Sequence, residues 1–373
     1  MRKLIGQQMM IGVSGLTLTA EEKKFIVQNN IAGVTLFGRN VKEPHQVREL
    51  CKELQSLRHQ MPDRAPLFIA IDMEGGRVAR LKAPFTVWPP LKKLGDLDSP
   101  AASFHLAYYM GLELKSVGIN LDFAPCVDVY TNPKNTVIGD RSISTDFEVV
   151  AKHASALVRG YLESEVIPCA KHFPGHGNTL IDSHLDLPVE EISLEELKAR
   201  EIIPFIKSVK SRVPMIMTAH ILYKNIDPDW PATLSEFFIQ KLLRDELKFK
   251  GLVVTDDLGM KAMSAHYGVG QIPVRALKAG ANLLLYCNEF DTPPQAMDSI
   301  EKALQDNTLS KDLVADNSQK ILELKKKMIP HPDPLTEEEM TQIIGSALHS
   351  QLSQAIAAGE IPPGLKQQLI SKA

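Results

Sequence analysis

Short apolar runs alternate with longer amphipathic segments along most of the chain. The runs have the length and the Val, Ile and Leu content of buried strands. We predict strands at Met9–Val13, Gly33–Phe37, Leu67–Asp72, Ile119–Ala124, Ile167–Lys171, Met215–His220, Leu252–Asp256 and Leu283–Cys287. Between them, apolar residues recur three and four positions apart, which is the spacing of one helix face. We predict helices at Glu21–Asn30, Val41–His59, Pro100–Val117, Glu148–Ser164, Leu194–Val209, Ser235–Lys248 and Ile272–Ala279.

The predicted strands are almost continuously apolar, as in a parallel sheet that is buried on both faces. Alternation of such strands with helices predicts an α/β fold, and eight repeats fit a (β/α)8 TIM-type barrel. An open doubly wound sheet is the alternative, but no GxGxxG sequence follows the first strand and no P-loop sequence is present. Polar residues recur where the strands end: Asp72, Asp122, Lys171, His172, His220, Asp256 and Asn288. In a barrel these ends meet on one face, where the active site lies, and this favours the barrel.

The pattern changes near residue 328, where a proline-broken linker precedes a capping box at Thr336 and Glu339. The capping box opens a helix pattern that ends at Gly359 and Pro362. Its apolar face consists of Met340, Ile343, Ile344, Ala347, Leu348, Leu352 and Ile356. We therefore predict a barrel domain at residues 1–328 and a linker with a helical tail at residues 329–373. The tail either packs on the outside of the barrel or forms a dimer contact.

Composition places the chain among ordinary globular proteins, with 44% hydrophobic residues and a net charge of −3. This balance lacks the clustered positive charge that nucleic-acid binding requires. No apolar run is long enough to span a membrane, and Gln7, Gln8 and Gly12 interrupt any signal-type core. We expect a cytoplasmic monomer or weak homodimer that binds neither nucleic acid nor membrane. The four cysteines are far apart and form no CxxC pair, which predicts reduced thiols.

Residues 167–188 hold a dense group of ionisable side chains: Lys171, His172, His176, Asp182, His184 and Asp186. Lys171 and His172 end the fifth predicted strand, and a loop that contains Pro174 and two glycines follows. Asp182 lies two residues before His184, a separation at which a carboxylate can bind the imidazole and raise its basicity. Since these residue types transfer protons and bind anions near neutral pH, the segment is predicted to be an active-site loop.

The third and seventh strands are also followed by candidate groups. After the third, Asp72 can accept two hydroxyl hydrogen bonds, while Arg77 and Arg80 can bind an oxygen-rich ligand. After the seventh, Asp256 and Asp257 face opposite ways, so that one is the reacting carboxylate and the other caps a helix or orients a neighbour. The GDRS sequence at residues 139–142 adds an arginine, which by itself is a weak indication.

The residues alone leave three kinds of enzyme open. The histidines and aspartates suit a metal-dependent barrel hydrolase, although no HxH sequence follows the first strand. Lys171 suits a Schiff-base aldolase, although its anion-binding neighbours favour a charged lysine. A carboxylate nucleophile with a separate proton donor is the arrangement of a glycosidase.

Five sequences in this order, IDMEGGRVARL, GDRS, KHFPGHG, DSH and TDDLGM, resemble the signature of glycoside hydrolase family 3. The resemblance is to its β-N-acetylglucosaminidases (β-hexosaminidases) of the NagZ type, and it covers about residues 1–330. It implies that Asp256 is the nucleophile of a retaining double displacement and that His184, paired with Asp182, is the general acid/base. It assigns sugar binding in the −1 subsite to Asp72, Arg80, Arg141, Lys171 and His172. His176 is left to hold the shape of the loop.

The same resemblance implies release of non-reducing-terminal GlcNAc from GlcNAc-1,6-anhydro-muropeptides in peptidoglycan recycling, without a cofactor or metal. A neutral imidazole base also repels an anionic partner less than a carboxylate does, so a β-N-acetylglucosaminide phosphorylase on the same site is an alternative. Met73 and Ile143 depart from the residues usual in the family and affect at most the fine shape of the pocket.

Overall fold

A closed barrel of parallel strands forms the centre of the protein, for which a computed structural model describes residues 1–183, 185–288 and 290–371. The barrel strands are Met9–Gly12 (β1), Gly33–Leu36 (β2), Phe68–Ile71 (β3), Leu121–Asp122 (β4), Ile167–Phe173 (β5), Met215–Thr218 (β6), Leu252–Asp257 (β7) and Leu283–Tyr286 (β8). Each strand pairs with its neighbours in sequence, and β8 pairs with β1 to close the ring. The predicted (β/α)8 barrel is therefore confirmed.

Helices surround the barrel. They are Arg2–Gly6 (α1), Ala20–Asn29 (α2), Pro44–Ser56 (α3), Lys92–Leu97 (α4), Pro100–Ser116 (α5), Phe147–Glu163 (α6), Leu194–Ala199 (α7), Ile202–Lys210 (α8), Lys261–Ser264 (α9), Gln271–Ala279 (α10), Thr292–Gln305 (α11) and Lys311–Met328 (α12), with a π-helix at Phe237–Glu246. Single 3₁₀ turns lie at Gly38–Asn40, Leu57–Gln60, Gly139–Arg141 and Ala232–Leu234. Among the described helices, none has the length and hydropathy needed to cross a bilayer.

Two predicted elements differ from the observed ones because of prolines. The helix predicted at Leu194–Val209 is divided between α7 and α8, since the ring of Pro204 would clash with the carbonyl group of Arg200 in a continuous helix. The strand predicted at Ile119–Ala124 is reduced to the two residues of β4. Backbone hydrogen bonds continue beyond β4, from Phe123 N to Ile71 O and from Cys169 N to Ala124 O, up to Pro125, which has no N–H group to donate.

Side chains alternate between the inside of the barrel and the surrounding helices. Phe68 and Ala70 of β3, and Leu252 and Val254 of β7, belong to the apolar core inside the barrel. Asp72 and Asp256 lie two residues beyond Ala70 and Val254, so their side chains point to the same side. They therefore lie above that core, at the carboxyl ends of their strands. The four cysteines are buried and free, as predicted.

Three helices form the tail: Glu337–Ile343 (α13), Ala347–Ala358 (α14) and Pro363–Ser371 (α15). The capping box at Thr336 and Glu339 is present, but the single helix predicted after it is interrupted at Gly345, where φ is 61°. Met340, Leu352 and Ile356 are buried in the same core as the barrel helices. The tail therefore packs on the barrel, next to α5.

Two short hairpin strands, Met73–Gly75 and Val78–Ala79, follow β3 and form the hairpin of residues 73–79. Val189–Glu190 pairs in parallel with Leu222–Tyr223 beyond the barrel rim. Both small sheets lie after barrel strands, on the side of the candidate site.

Candidate active site

A cavity of about 290 Å³ opens at the carboxyl ends of the barrel strands. The predicted site residues among the described part of the chain line it: Asp72, Arg80, Arg141, Lys171, His172, Asp182 and Asp256. His184, predicted as the acid/base, lies outside the described residues. Residues as far apart in sequence as Asp72 and Asp256 meet here because parallel strands of a barrel end on one face.

A buried carboxylate that sequence reasoning missed, Glu74, holds two of the predicted cations. Arg141 donates two hydrogen bonds to Glu74, with Nε–Oε2 and Nη2–Oε1 distances of 2.8 Å each. Lys171 Nζ lies 2.7 Å from Glu74 Oε1 and 2.7 Å from Asp72 Oδ1. The side chain of Glu74 is only 1% exposed. Glu74 therefore fixes the cations whose other sides face the cavity.

The charges in this group stabilise one another. Burial alone would raise the pKa of Glu74, but Arg141 and Lys171 outweigh it and hold the pKa well below its usual range. Burial alone would lower the pKa of Lys171, yet Asp72 and Glu74 keep that pKa above its usual value. Lys171 is thus a permanent cation at neutral pH. A Schiff base, which requires a neutral amine, is disfavoured at this position.

Arg80 is held more loosely than Arg141. Its Nη2 lies 3.5 Å from Asp72 Oδ2, and its buried Nε has no hydrogen-bond partner among the described residues. Arg77 lies at the cavity rim and binds Asp140 and the carbonyl groups of residues 136–138. Arg77 therefore holds the long loop between β4 and α6, while Arg80 keeps a donor near the cavity.

Asp128 is a second buried carboxylate that sequence reasoning missed. Its Oδ2 lies 2.7 Å from His172 Nδ1, and its Oδ1 accepts a hydrogen bond of 2.7 Å from the backbone N–H of His176. Burial would raise the pKa of Asp128, but His172 and His176 lower it to about 2. The sequence indicated this partner only through the position of Asp128 in the apolar run 123–129. A charge buried in such a run needs a partner.

Asp256 and Asp257 end β7 in different environments. Asp256 lines the cavity, and its Oδ1 accepts a hydrogen bond of 2.8 Å from the backbone of Asp257. Asp257 accepts from the backbone of Gly259 and from Asn288 Nδ2, each at 3.0 Å. Burial, partly offset by the Gly259 bond and reinforced by Asp256, raises the pKa of Asp257 to about 6. Asp257 also lines the cavity, and its carboxylate is held by the backbone of Gly259 and the side chain of Asn288.

His176 fixes the loop between β5 and α7, which brings Asp182 to the cavity. His176 is buried and binds Thr179 Oγ1 at 2.7 Å through Nδ1 and Ser183 Oγ at 3.3 Å through Nε2. Burial, with the nearby His172, lowers the pKa of His176 to about 4, so its ring is neutral. Ser183 O accepts from Ala262 N, which follows β7. These contacts match the interpretation that His176 holds the shape of the loop.

Two of the polar strand ends do not face the cavity, contrary to the expectation that all of them meet there. Asp122 accepts hydrogen bonds from Tyr161 Oη and the backbone of Met73, each at 2.9 Å. His220 contacts Thr233 Oγ1 and the carbonyl oxygen of Asp257. Asp122 has the outward orientation in the alternation along its strand, which explains its place among the helices.

Metal-ligand spacing occurs in a single group within residues 1–183, 185–288 and 290–371, formed by Cys126, Asp128 and His172. Its atoms already bind one another, because Asp128 Oδ2 accepts from both Cys126 Sγ and His172 Nδ1. Burial raises the pKa of the Cys126 thiol, which disfavours the thiolate that a metal would need. The group is therefore a poor match for a catalytic metal site.

Comparison with known proteins decides the family. A model of the glycosyl hydrolase family 3 N-terminal domain matches residues 1–324. The chain belongs to glycoside hydrolase family 3. The predicted enzyme class, a glycoside hydrolase, and the family resemblance are thereby confirmed.

Similar proteins match over most of the chain. A β-hexosaminidase of Idiomarina loihiensis is 35% identical over 326 residues, which cover 86% of this chain and 96% of the relative. The structure of a family 3 β-N-acetylglucosaminidase from a Paenibacillus species has a TM-score of 0.88 and 35% identity, covering 96% of this chain and 68% of the other. The structure of NagZ from Neisseria gonorrhoeae in complex with N-trifluoroacetyl-D-glucosamine has a TM-score of 0.77 and 29% identity. The match covers 95% of this chain and 98% of the other.

Proposed function

We propose that this family 3 enzyme is a retaining exo-β-N-acetylglucosaminidase that removes a terminal GlcNAc unit with Asp256 as nucleophile. The observation that carries the proposal is the placement of Asp256 in the same cavity as Asp72 and Lys171. A carboxylate and a group of sugar-binding charges in one enclosed site are what a glycosidase needs. The similarity to β-hexosaminidases, and to a NagZ that binds an N-acylated glucosamine, supports an N-acetylated sugar.

In the proposed first step, Asp256 attacks the anomeric carbon while the bond to the leaving oxygen breaks. His184 protonates that oxygen, and Asp182 keeps the imidazole in the required tautomer. In the second step, His184 removes a proton from water, which attacks the glycosyl-enzyme and releases Asp256 with retention of configuration. Asp182 supports this assignment because it lines the cavity on the loop that carries position 184.

The cavity favours a single sugar unit. Its volume of about 290 Å³ lies at the lower end of the range for small-molecule pockets. Asp72 can accept hydrogen bonds from two hydroxyl groups, while Arg80, Arg141 and Lys171 can donate to ring substituents. We infer exo action, in which one residue of the substrate enters and the leaving group stays at the rim.

We further propose that the natural substrates are GlcNAc-1,6-anhydro-muropeptides, processed in the cytoplasm during peptidoglycan recycling. The imidazole of His184 suits them because it is positive as the acid and neutral as the base, so it adds no negative charge opposite the carboxylates of a muropeptide leaving group. The same reasoning applies to phosphate as an acceptor in place of water, so phosphorolysis is the alternative outcome of the assay.

The first experiment measures hydrolysis of an aryl β-GlcNAc by the wild type, by Asp256→Ala and, as a control, by Asp245→Ala at an exposed position of the π-helix. We expect the nucleophile variant to lose activity by several orders of magnitude and the control to keep it. NMR should detect the β-anomer of GlcNAc first. Near wild-type turnover by Asp256→Ala, or inversion of configuration, would show that the nucleophile is assigned wrongly.

A second experiment tests the proton donor and the acceptor. His184→Ala should lose most activity on substrates with poor leaving groups, because activated ones need little protonation, whereas equal losses would exclude that role. Product analysis on a GlcNAc-anhydro-muropeptide, with and without phosphate, distinguishes GlcNAc from GlcNAc-1-phosphate. Loss of activity after exhaustive chelation, restored by a metal, would instead support the metal-dependent alternative.

A further inference from the structure

We propose that the tail helices position the substrate-binding hairpin of residues 73–79 and that Glu113 and His349 are the positioning residues. The tail lies outside the residues that the family model matches, which end at 324. The inference rests on the proposed function, which assigns sugar binding to the groups beside this hairpin, and it adds a role for the tail. Its physical basis is a continuous series of contacts from α14 to the cavity.

Glu113 of α5 is the first part of this series. It is 2% exposed and accepts hydrogen bonds from two separate segments. Thr86 donates to it from its backbone N–H at 2.9 Å and from its hydroxyl group at 2.6 Å. Gly345 N and His349 Nδ1 of the tail lie 3.0 and 2.8 Å from Glu113 Oε1. A buried carboxylate with this many partners fixes both segments relative to α5, because any lost partner leaves a buried charge less satisfied.

The tail also contacts residues 84–90 directly. Ser353 Oγ donates a hydrogen bond of 2.6 Å to the carbonyl oxygen of Val87. Gly345 packs so closely on Pro84 that a Cβ atom would lie 2.3 Å from the proline carbonyl oxygen. The ring of His349 lies 6.4 Å from that of Trp88, centroid to centroid. Residues 84–90 are thus held between α5 and the tail.

Residues 84–90 in turn support the turn of the hairpin. Gly76 N donates a hydrogen bond of 2.9 Å to Trp88 O. Gly75 and Gly76 have positive φ angles, and Cβ atoms there would lie 2.6 Å from Pro89 O and 2.7 Å from Pro90 Cβ. No space remains for the turn to move toward this segment.

The hairpin carries the groups that shape the cavity. Glu74 lies on the first strand of the hairpin and binds Lys171 and Arg141 from other segments. Arg80 directly follows the second strand and lies near Asp72. A shift of the hairpin therefore changes the positions of several sugar-binding groups together. Displacements of about 1 Å in such groups cost about a hundredfold in rate.

The test compares variants of the full chain on an aryl β-GlcNAc. His349→Ala removes a donor to Glu113 and should lower kcat/KM about ten- to a hundredfold at a temperature where circular dichroism shows the variant folded. His349→Asn places an amide N–H at the position of Nδ1, so it can donate to Glu113 again and should recover most of the loss. Gln351→Ala, at an exposed position of the same helix, is the matched control.

A spectroscopic readout separates positioning from a general loss of stability. Trp88 and Trp230 are the two tryptophans of the chain, so Trp230→Phe leaves Trp88 as the only indole. Its ring is buried, and the emission should shift to longer wavelength in His349→Ala if residues 84–90 move.

If His349→Ala fails to fold, Ser353→Ala, which removes only the contact to Val87 O, should show a smaller loss of kcat/KM. The proposal would be overturned if His349→Ala is folded and keeps the kcat/KM of the wild type. If His349→Ala is unfolded, a wild-type kcat/KM in Ser353→Ala would overturn it. Equal losses in His349→Ala and Gln351→Ala would overturn it as well. A wild type that does not cleave the aryl β-GlcNAc would instead refute the assigned sugar.

Discussion

Replacing Asp128 by asparagine tests the reasoning about buried charges most directly. The substitution keeps the shape of the side chain and removes its charge. In the folded protein, interactions with His172 and His176, among them the hydrogen bonds to His172 Nδ1 and His176 N, overcome burial and lower the pKa of Asp128 from 3.8 to about 2. A difference of about 1.8 pKa units corresponds to about 2.4 kcal/mol of stability at neutral pH. We expect Asp128→Asn to lower the free energy of unfolding by about 2 to 4 kcal/mol, since an amide also turns an N–H toward a donor.

The pH dependence follows from the sign of this shift. Because the pKa is lower in the folded state, the carboxylate stabilises the protein above the unfolded value near 3.8, and this contribution is lost as the pH falls toward 2. About half of the contribution of Asp128 should therefore be lost by pH 3. Urea unfolding at pH 7 and at the lowest pH where the wild type is folded measures the difference. Asp245→Asn, at an exposed position, is the control.

Activity gives a second readout for the same variant. Asp128 orients the ring of His172, so kcat/KM should fall even where the variant is fully folded. A free energy of unfolding equal to that of the wild type at pH 7, or a difference that does not change with pH, would refute the role assigned to the charge.

Two further substitutions address buried charges elsewhere. Lys325 of α12 is buried, and burial, opposed by Asp63, lowers its pKa to about 7, so the folded state disfavours its charge. Lys325→Met should raise the free energy of unfolding by about 3 to 5 kcal/mol at pH 7 and by about half as much at pH 9. The cost of burying the lysine disappears as the pH approaches 10.5, the pKa of the lysine in the unfolded chain. Thermal unfolding at both pH values measures the difference. Glu74→Gln should lower the free energy of unfolding by about 3 to 5 kcal/mol, because it removes the negative charge that Arg141 and Lys171 share and turns an NH2 group toward one of them. Unfolding in urea and kcat/KM on an aryl β-GlcNAc check this prediction, and an unchanged kcat/KM would contradict the role of Glu74.

The strand pattern was sufficient to predict the barrel, because inner strands of a parallel sheet must be apolar on both faces. The same logic placed Asp72, Lys171 and Asp256 correctly, since alternation along each strand carries them to the cavity side. The same reasoning failed for Asp122, because the alternation along its strand turns this side chain toward the outer helices. A polar residue at a strand end is therefore informative only together with its register.

Side-chain partners far apart in sequence could not be predicted in this way. Glu74 binds Arg141, 67 positions away, and Asp128 binds His172, 44 positions away. These pairs form because loops of irregular length meet above the barrel, and no periodicity in the sequence encodes that meeting. The tail was predicted as a helical segment, but its contact with Glu113 depends on the same kind of distant pairing.

The charge balance around the cavity bears on why a histidine suits the proposed acid/base role. Among the described residues, the cavity is lined by four aspartates, Asp72, Asp182, Asp256 and Asp257, and by four cations, Arg77, Arg80, Arg141 and Lys171. A carboxylic acid that donates a proton near pH 7 needs a pKa raised well above its usual range, and nearby cations oppose such a rise. An imidazole has an ordinary pKa near 6.5 and needs no such shift, because Asp182 can supply the opposing negative charge locally. The proposed histidine donor can therefore act without a shifted pKa in a cavity where several charges of both signs meet.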